Sequence, residues 1–344
     1  MAYTNIDDPS AYFQTALYTG NGSTQSITND GNSDLQPDLI WAKNRNDAYD
    51  NVLGDSTRGA GLTLISNSTS AEVNEGTNGL TSFDSDGFSL GGNSGGWNFS
   101  SAKTYVAWQW KANGGTTSTN NDGSKPTTVQ ANTDAGFSIL TFTTNGTDTF
   151  GHGLGVKPSV VIAKPRSPGS WIVMTDVIDG SVDYSRLHTT DAFTNTTYSA
   201  FTSSVFQYND SFNTNTVAYC FAEKQGYSKF GRYEGNGYNT GSYIYLGFKP
   251  AFFMVKSKSS GNWLILDSKR DPNNFGTPGG TGTHRLFPNL SNAEDVSEAY
   301  DFFSNGFQPR NSGGLANIGG QEYIYMAFAE NPFVTSTGIP TTAR

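Results

Sequence analysis

The chain has 344 residues, a formal net charge of −9 and a single cysteine, Cys220. The acidic balance argues against nucleic acid, whose binding is driven by Lys/Arg contacts to phosphate. The lone cysteine excludes an intrachain disulfide framework, and no stretch approaches the ~20 apolar residues of a membrane-spanning helix. Gly (40), Ser, Thr and Asn crowd the sequence together with 17 Tyr and 23 Phe, the composition of many short strands joined by turns. An all-β class is therefore expected, with large aromatics filling thin cores.

From the N-terminus, "MAYTNIDDPS" has neither a basic n-region nor an apolar h-region, so no secretory leader is expected. The polar segment before Tyr12 lies outside any repeat and reads as a docking arm. An aromatic strand then ends in Asn-Gly, "LYTGNG" (17–22), followed by "PDLIWAKNR" (37–45) and a closing strand, "YVAWQW" (105–110). This series returns twice. "TFTTNG" (141–146), "PSVVIAKPR" (158–166) and "TVAYCF" (216–221) repeat it, as do "RYEGNG" (232–237), "PAFFMVKSK" (250–258) and "YIYMAF" (323–328). The middle strands are apolar at consecutive positions, which predicts burial on both faces. The closing strands alternate, so Val106, Trp108 and Trp110, then Val217, Tyr219 and Phe221, then Ile324, Met326 and Phe328 each share one face. Cys220 falls on the opposite face and reads as a packing residue.

The expected organisation is three tandem antiparallel β-sandwich units of jelly-roll type, spanning 1–112, 113–225 and 226–344, the last with a polar tail. "KANGGTTSTNNDGSKPTTVQAN" (111–132) reads as a flexible linker or long loop. The short "EKQGY" predicts that the second and third units pack together.

"FDSDGFSL" (83–90) opens like a calcium loop, with Asp84 and Asp86. Its fifth position is Phe88 and its twelfth is Gly95, so the EF-hand pattern fails. Unit three has "FFSNGFQP" (302–309) in the same place, which keeps the turn and loses the carboxylates; a β-turn is expected. In unit two Val205 takes the glycine's place, so a different turn is expected there. The three histidines show no metal-ligand spacing, and no G-x-S-x-G elbow occurs. No catalytic residue, metal or cofactor is expected.

Each middle strand ends in a cation followed by a short turn and an aromatic: Arg45 and Tyr49, Arg166 and Trp171, Lys258 and Trp263. Across such a turn the flanking residues are cross-strand neighbours. The cation would lie on the aromatic face, either as a cation–π staple or as a sugar-stacking site at a hairpin tip.

The stretches "AYTNIDDPSAYFQTALYTGNG" (2–22), "TSFDSDGFSL" (81–90), "YVAWQWKANGG" (105–115), "VAYCFAEKQGYSKFGRYEGNG" (217–237) and "YIYMAFAENPFV" (323–334) resemble a family of virion structural proteins of marine bacteriophages. The resemblance runs over nearly the whole chain. It implies lectin-like β-sandwich repeats in a tail fibre or another host-facing appendage, non-enzymatic, located in the virion and contacting other virion proteins. It implies attachment to a host surface glycan, with a homotrimer favoured on general grounds for fibres. A capsid decoration or head-fibre protein and a polysaccharide depolymerase are the rival readings. The family offers no catalytic motif to carry over, and its members often have a cysteine where this chain has Gln109.

Overall fold

The computed structural model describes residues 3–99, 102–274, 282–297 and 300–341. Apart from one 3-10 turn at Pro9–Ala11, its regular elements are β-strands, and every named strand pair is antiparallel. Three large sheets carry the molecule. In the first, the spatial order is Phe13–Thr19, Thr104–Trp110, Leu39–Asn44, Asn51–Asp55, Leu62–Ile65 and Val73–Asn74. The second has eight strands, with Phe137–Gly151, Val205–Phe221, Val160–Pro165 and Ile172–Thr175 at its centre; the third has four, Ser228–Glu234, Glu322–Pro332, Phe248–Ser257 and Trp263–Asp267.

Register makes the sheets comparable residue by residue. Leu39 lies opposite Trp110, Val160 opposite Phe221, and Phe252 opposite Phe328. The alternating faces of the closing strands, Val106 to Trp110, Val217 to Phe221 and Ile324 to Phe328, all enter one shared hydrophobic core. There the rings of Phe13, Trp110, Phe221, Phe252 and Phe328 meet at centroid distances of 5.1–6.3 Å. Burying an apolar side chain of this size stabilises by roughly 1.5–3 kcal/mol, so this cluster ties the three sheets to one another.

The outer face of each sheet is covered locally, which completes a sandwich. In the first unit a three-stranded cap of Gln25–Ile27, Gly87–Leu90 and Leu80–Asp84 buries Ile27, Phe88 and Leu90 against Ile40, Ala42 and Ala107. In the third, Ile244–Tyr245, Gly306–Pro309 and Tyr300–Phe303 do the same over Phe253. The expected turn in "FDSDGFSL" is present: Asp84 pairs with Gly87, whose φ of 109° suits glycine. Asp86 accepts the Leu35 N–H, and Asp84 accepts the Ser82 and Ser89 hydroxyls. The second unit has no separate cap. Its two long strands run on past a bulge at Thr144/Gly146 and bring Phe150, Phe206 and Tyr208 over Cys220 and Ala218.

Several expectations are corrected. Asn145-Gly146 does not end its strand: it lies inside the strand Phe137–Gly151, because bulging lets the chain bend without reversing. The expected linker contains the strands Ser118–Asn120 and Thr127–Asn132, paired onto the second sheet's edge. Val129 is the apolar anchor that the polar composition concealed. The expected docking arm is held against the body from residue 3 onward. Ile6 enters the central core, and Thr4 Oγ1 donates to Gln225 O at 2.8 Å.

Candidate functional site

Trp171 and Trp263 are buried, at 0% and 3% exposure, and neither presents a face to solvent. Strand pairing sets each opposite a lysine, Trp263 directly to Lys256 and Trp171 one step past the pair Ala163–Ile172. The first-unit residue at that position is Asn51, opposite Lys43, and not Tyr49. All three reach the neighbouring unit. The Trp171 indole donates to Ile65 O at 2.7 Å and the Trp263 indole to Arg186 O at 3.1 Å. Asn51 Nδ2 donates to Phe287 O and Leu290 O at 3.0 and 2.8 Å. Tyr49 stacks at a tilt on Phe99, centroids 5.3 Å apart.

The cations leave the aromatics for carboxylates. Arg45 holds Glu294 with two bonds, Nε to Oε2 at 2.9 Å and Nη2 to Oε1 at 2.7 Å. Arg166 grips Glu72 in the same way, at 3.0 and 2.6 Å. Lys258 pairs with Glu322 within its own sheet at 2.8 Å. A carboxylate offers an arginine a charge-assisted fork, which outweighs an exposed cation–π contact. Arg45, Arg166, Trp171 and Trp263 are therefore joints between units, whereas the side chains of Tyr49 and Lys258 bond within their own unit; hairpin spacing alone could not show it because the joints' partners lie far away in sequence.

Exposed aromatics gather elsewhere, on the cap of the third unit. Tyr238, Tyr243 and Tyr245 are 72%, 44% and 48% exposed. Tyr243 and Tyr245 flank Ile244, which turns inward to pair with Phe307, so alternation sends both rings outward. The Tyr3 hydroxyl meets the Tyr245 hydroxyl at 2.9 Å and donates to Gly247 O at 2.7 Å. Tyr243 donates to Asn305 Oδ1 and packs edge-on to Phe303, centroids 5.8 Å apart. The Lys229 ammonium lies 5.5 Å from the Tyr245 ring centre. Desolvation pushes the Tyr3 and Tyr243 hydroxyls above their ordinary pKa, so both stay protonated donors at neutral pH.

The first unit fills the equivalent positions with small hydroxyl residues. Tyr238 N–H bonds Asn236 Oδ1 just as Ser23 N–H bonds Asn21 Oδ1. Register sets Tyr243 and Tyr245 at the places of Ser26 and Thr28, flanking Ile27, which pairs with Phe88. Three exposed Ser/Thr in one unit have become three exposed Tyr in another. The signal was present in "GYNTGSYIY" (237–245), where tyrosines alternate with an apolar residue amid Gly, Asn and Ser.

Among the described residues no group of three or more His, Cys, Asp or Glu is placed to hold a metal ion. His152 is buried: its Nδ1 accepts the Leu154 N–H, which leaves the proton on Nε2, 3.2 Å from Thr202 O.

The model of a family described as a domain of unknown function, DUF7483, matches residues 8–332, and the chain belongs to that family. No curated protein and no solved structure matches.

Proposed function

We propose that this member of the DUF7483 family is a non-enzymatic bacteriophage virion protein of the tail-fibre or receptor-binding type. It attaches the particle to a host surface glycan through the tyrosine face of its third unit. The observation that carries the binding surface is the replacement of Ser23, Ser26 and Thr28 by exposed Tyr238, Tyr243 and Tyr245. The ring area that these tyrosines leave in water adds nothing to the fold, whereas a tyrosine offers an apolar ring for a sugar's C–H face and a hydroxyl for its polar edge. Binding loops rich in Tyr, Ser, Gly and Asn achieve contact at low conformational cost. The cation of Lys229 beside Tyr245 adds a donor within a chain of net charge −9. The virion assignment is carried by the sequence resemblance. Several copies on one particle, a trimer or a higher ring, would convert weak sugar contacts into useful avidity.

The test is a glycan array with the purified chain and its Tyr243→Ala and Tyr245→Ala variants. Bound signal should fall at least tenfold in each variant, with the thermal midpoint within a few degrees of the parent. Unchanged signal would remove the tyrosine face from the reading. In a particle reconstruction, density for the chain on capsid faces would replace attachment by capsid decoration, and loss of polysaccharide chain length on incubation would replace it by depolymerisation.

A further inference from the structure

The three sheets meet at three equivalent seams, and one of them is left open. Thr15, Ile139 and Phe230 occupy the same inward position, opposite Trp108, Tyr219 and Met326. Ile139 and Phe230 fill their seams with apolar bulk and are buried in the central core. Thr15 is 8% exposed, and its hydroxyl has no hydrogen-bond partner. The opposite wall changes too. Asp38 and Ala251 each precede the aligned residues Leu39 and Phe252. At the seam between the first and second sheets, Asp38 collects the N–H groups of Ala112, Gly114 and Gly115 and the Ser56 hydroxyl. Gln130 reaches in from the second sheet's extra strand and donates to Ser56 and Thr57. At the seam between the third and first sheets Ala251 stands in Asp38's place, on a bulged stretch of strand, and the side chain that crosses is the exposed Asp30, which meets Lys269 at 2.6 Å. A cleft of about 410 Å³ remains, with Thr15 and Phe13 in its lining.

We infer that this cleft between the first and third sheets binds a neutral polyhydroxylated ligand of pyranose size. Its volume falls in the range of small-molecule pockets, about 300–1,000 Å³. Its polar lining comes in balanced pairs: Lys249 with Glu330 at 2.7 Å and Lys269 with Asp30 at 2.6 Å. The Ser268 hydroxyl also donates to Glu330, at 2.8 Å. A ligand of either charge would be repelled by one member of each pair. A sugar hydroxyl, which accepts from an ammonium while donating to a carboxylate, satisfies both. Thr15 is a small residue of the lining, and the apolar bulk that Ile139 brings to its own seam would occupy that space. The apolar patch of Ala251 and Pro272 suits the C–H face of the ring. This site stands apart from the tyrosine face and does not depend on it.

The experiment is a titration of the ¹⁵N-labelled chain with D-glucose, D-galactose, D-mannose and N-acetyl-D-glucosamine, each to tens of millimolar. At least one sugar should shift the amide signals of Thr15, Ala251 and Glu330 in a saturable way. Thr15→Ile copies the chain's own solution at Ile139; it should weaken that sugar at least tenfold while leaving the thermal midpoint unchanged or higher. Lys269→Gln, a change at a half-exposed side chain, should weaken it as well, which covers the case where Thr15→Ile does not fold. Tyr243→Ala should leave the affinity as it is, so the cleft and the tyrosine face fail or survive separately. Absence of saturable shifts with all four sugars, or affinity retained in both Thr15→Ile and Lys269→Gln, overturns the assignment.

Discussion

Lys43, Lys164 and Lys256 are fully buried at the ends of the three middle strands, each with its ammonium turned onto carbonyls of its own chain. Lys43 donates to Asn44 O and Asp47 O, Lys164 to Pro165 O and Ser167 O, Lys256 to Ser257 O and Ser259 O. Burial lowers each pKa to about 8, although Asp47, Asp50 and Glu294 near Lys43, Glu72 near Lys164 and Asp191 near Lys256 pull upward; Arg58 adds to the depression at Lys164. A lysine whose folded pKa lies below its unfolded value of about 10.4 binds fewer protons folded than unfolded between the two. Stability should therefore rise as pH climbs from 8 toward 10, by roughly 1 kcal/mol per pH unit for each lysine. Buried Cys220, with its thiol pushed up, opposes this above about pH 9, and buried Tyr18, Tyr219 and Tyr227 reverse it above about pH 10. Urea melts at half-unit pH steps on the parent and on Lys164→Met measure the effect; an equal slope in both would refute it. In the sequence each of these lysines stands two residues before the cation that ends its middle strand, but only the fold shows that its charge is buried.

At the scale of whole elements, two seams between sheets are ionic and the third is apolar. In the first unit Asp55 holds Arg58 at 2.5 Å and takes the Tyr219 hydroxyl of the second sheet at 2.7 Å; Arg58 goes on to Glu72 and Glu72 to Arg166. In the third unit Asp267 holds Arg270 at 2.6 Å and takes the Trp108 indole at 2.9 Å, and Arg270 goes on to Glu294 and Arg45. The second unit has Thr175 at the aspartate position, Ile178 at the arginine position, and Met326 on the facing strand. Phe193, whose N–H bonds Lys258 O as Glu72 N–H bonds Arg166 O, packs on Trp263 with centroids 5.8 Å apart. Four positions have changed together. Removing one partner of a buried ion pair costs about 3–5 kcal/mol, whereas replacing the network by apolar residues is often neutral. Arg58→Ile alone should therefore lower stability by about 3–5 kcal/mol. The combined Asp55→Thr, Arg58→Ile, Glu72→Phe, Tyr219→Met variant should lose less than that single change. Chemical denaturation compares them, and a loss in the quadruple variant equal to the summed singles would show that the seam is not exchangeable. The sequence displays all these residues but not their pairing, since Asp55 and Tyr219 lie 164 positions apart.

For the molecule as a whole, the shared core sets the cooperativity. Phe13 and Trp110 of the first sheet, Phe221 of the second, and Phe252 and Phe328 of the third stack on one another, so each unit completes its inner face only in the presence of the other two. Calorimetry should show a single unfolding transition, with calorimetric and van't Hoff enthalpies in agreement. A fragment of residues 1–112 should lack a cooperative melt, because its inner face would stand in water. Two or more resolved transitions, or a cooperatively melting fragment, would mean that the outer sandwiches suffice alone.

What the sequence by itself determined is local: strands rather than helices, the inward and outward faces of the closing strands, the turn at 83–90, and the comparability of "FDSDGFSL" with "FFSNGFQP". These follow from side-chain alternation and turn chemistry, which act over a few residues. Alternation says that a face is apolar without saying what covers it. Only the tertiary structure decided that three inner faces share one core, and that Trp171 and Trp263 close seams and bond distant carbonyls. It alone placed Tyr243 and Tyr245 on the surface and left Thr15 facing an open cleft. Each of these depends on which distant segment arrives opposite a given residue, and that is a property of sheet register and packing.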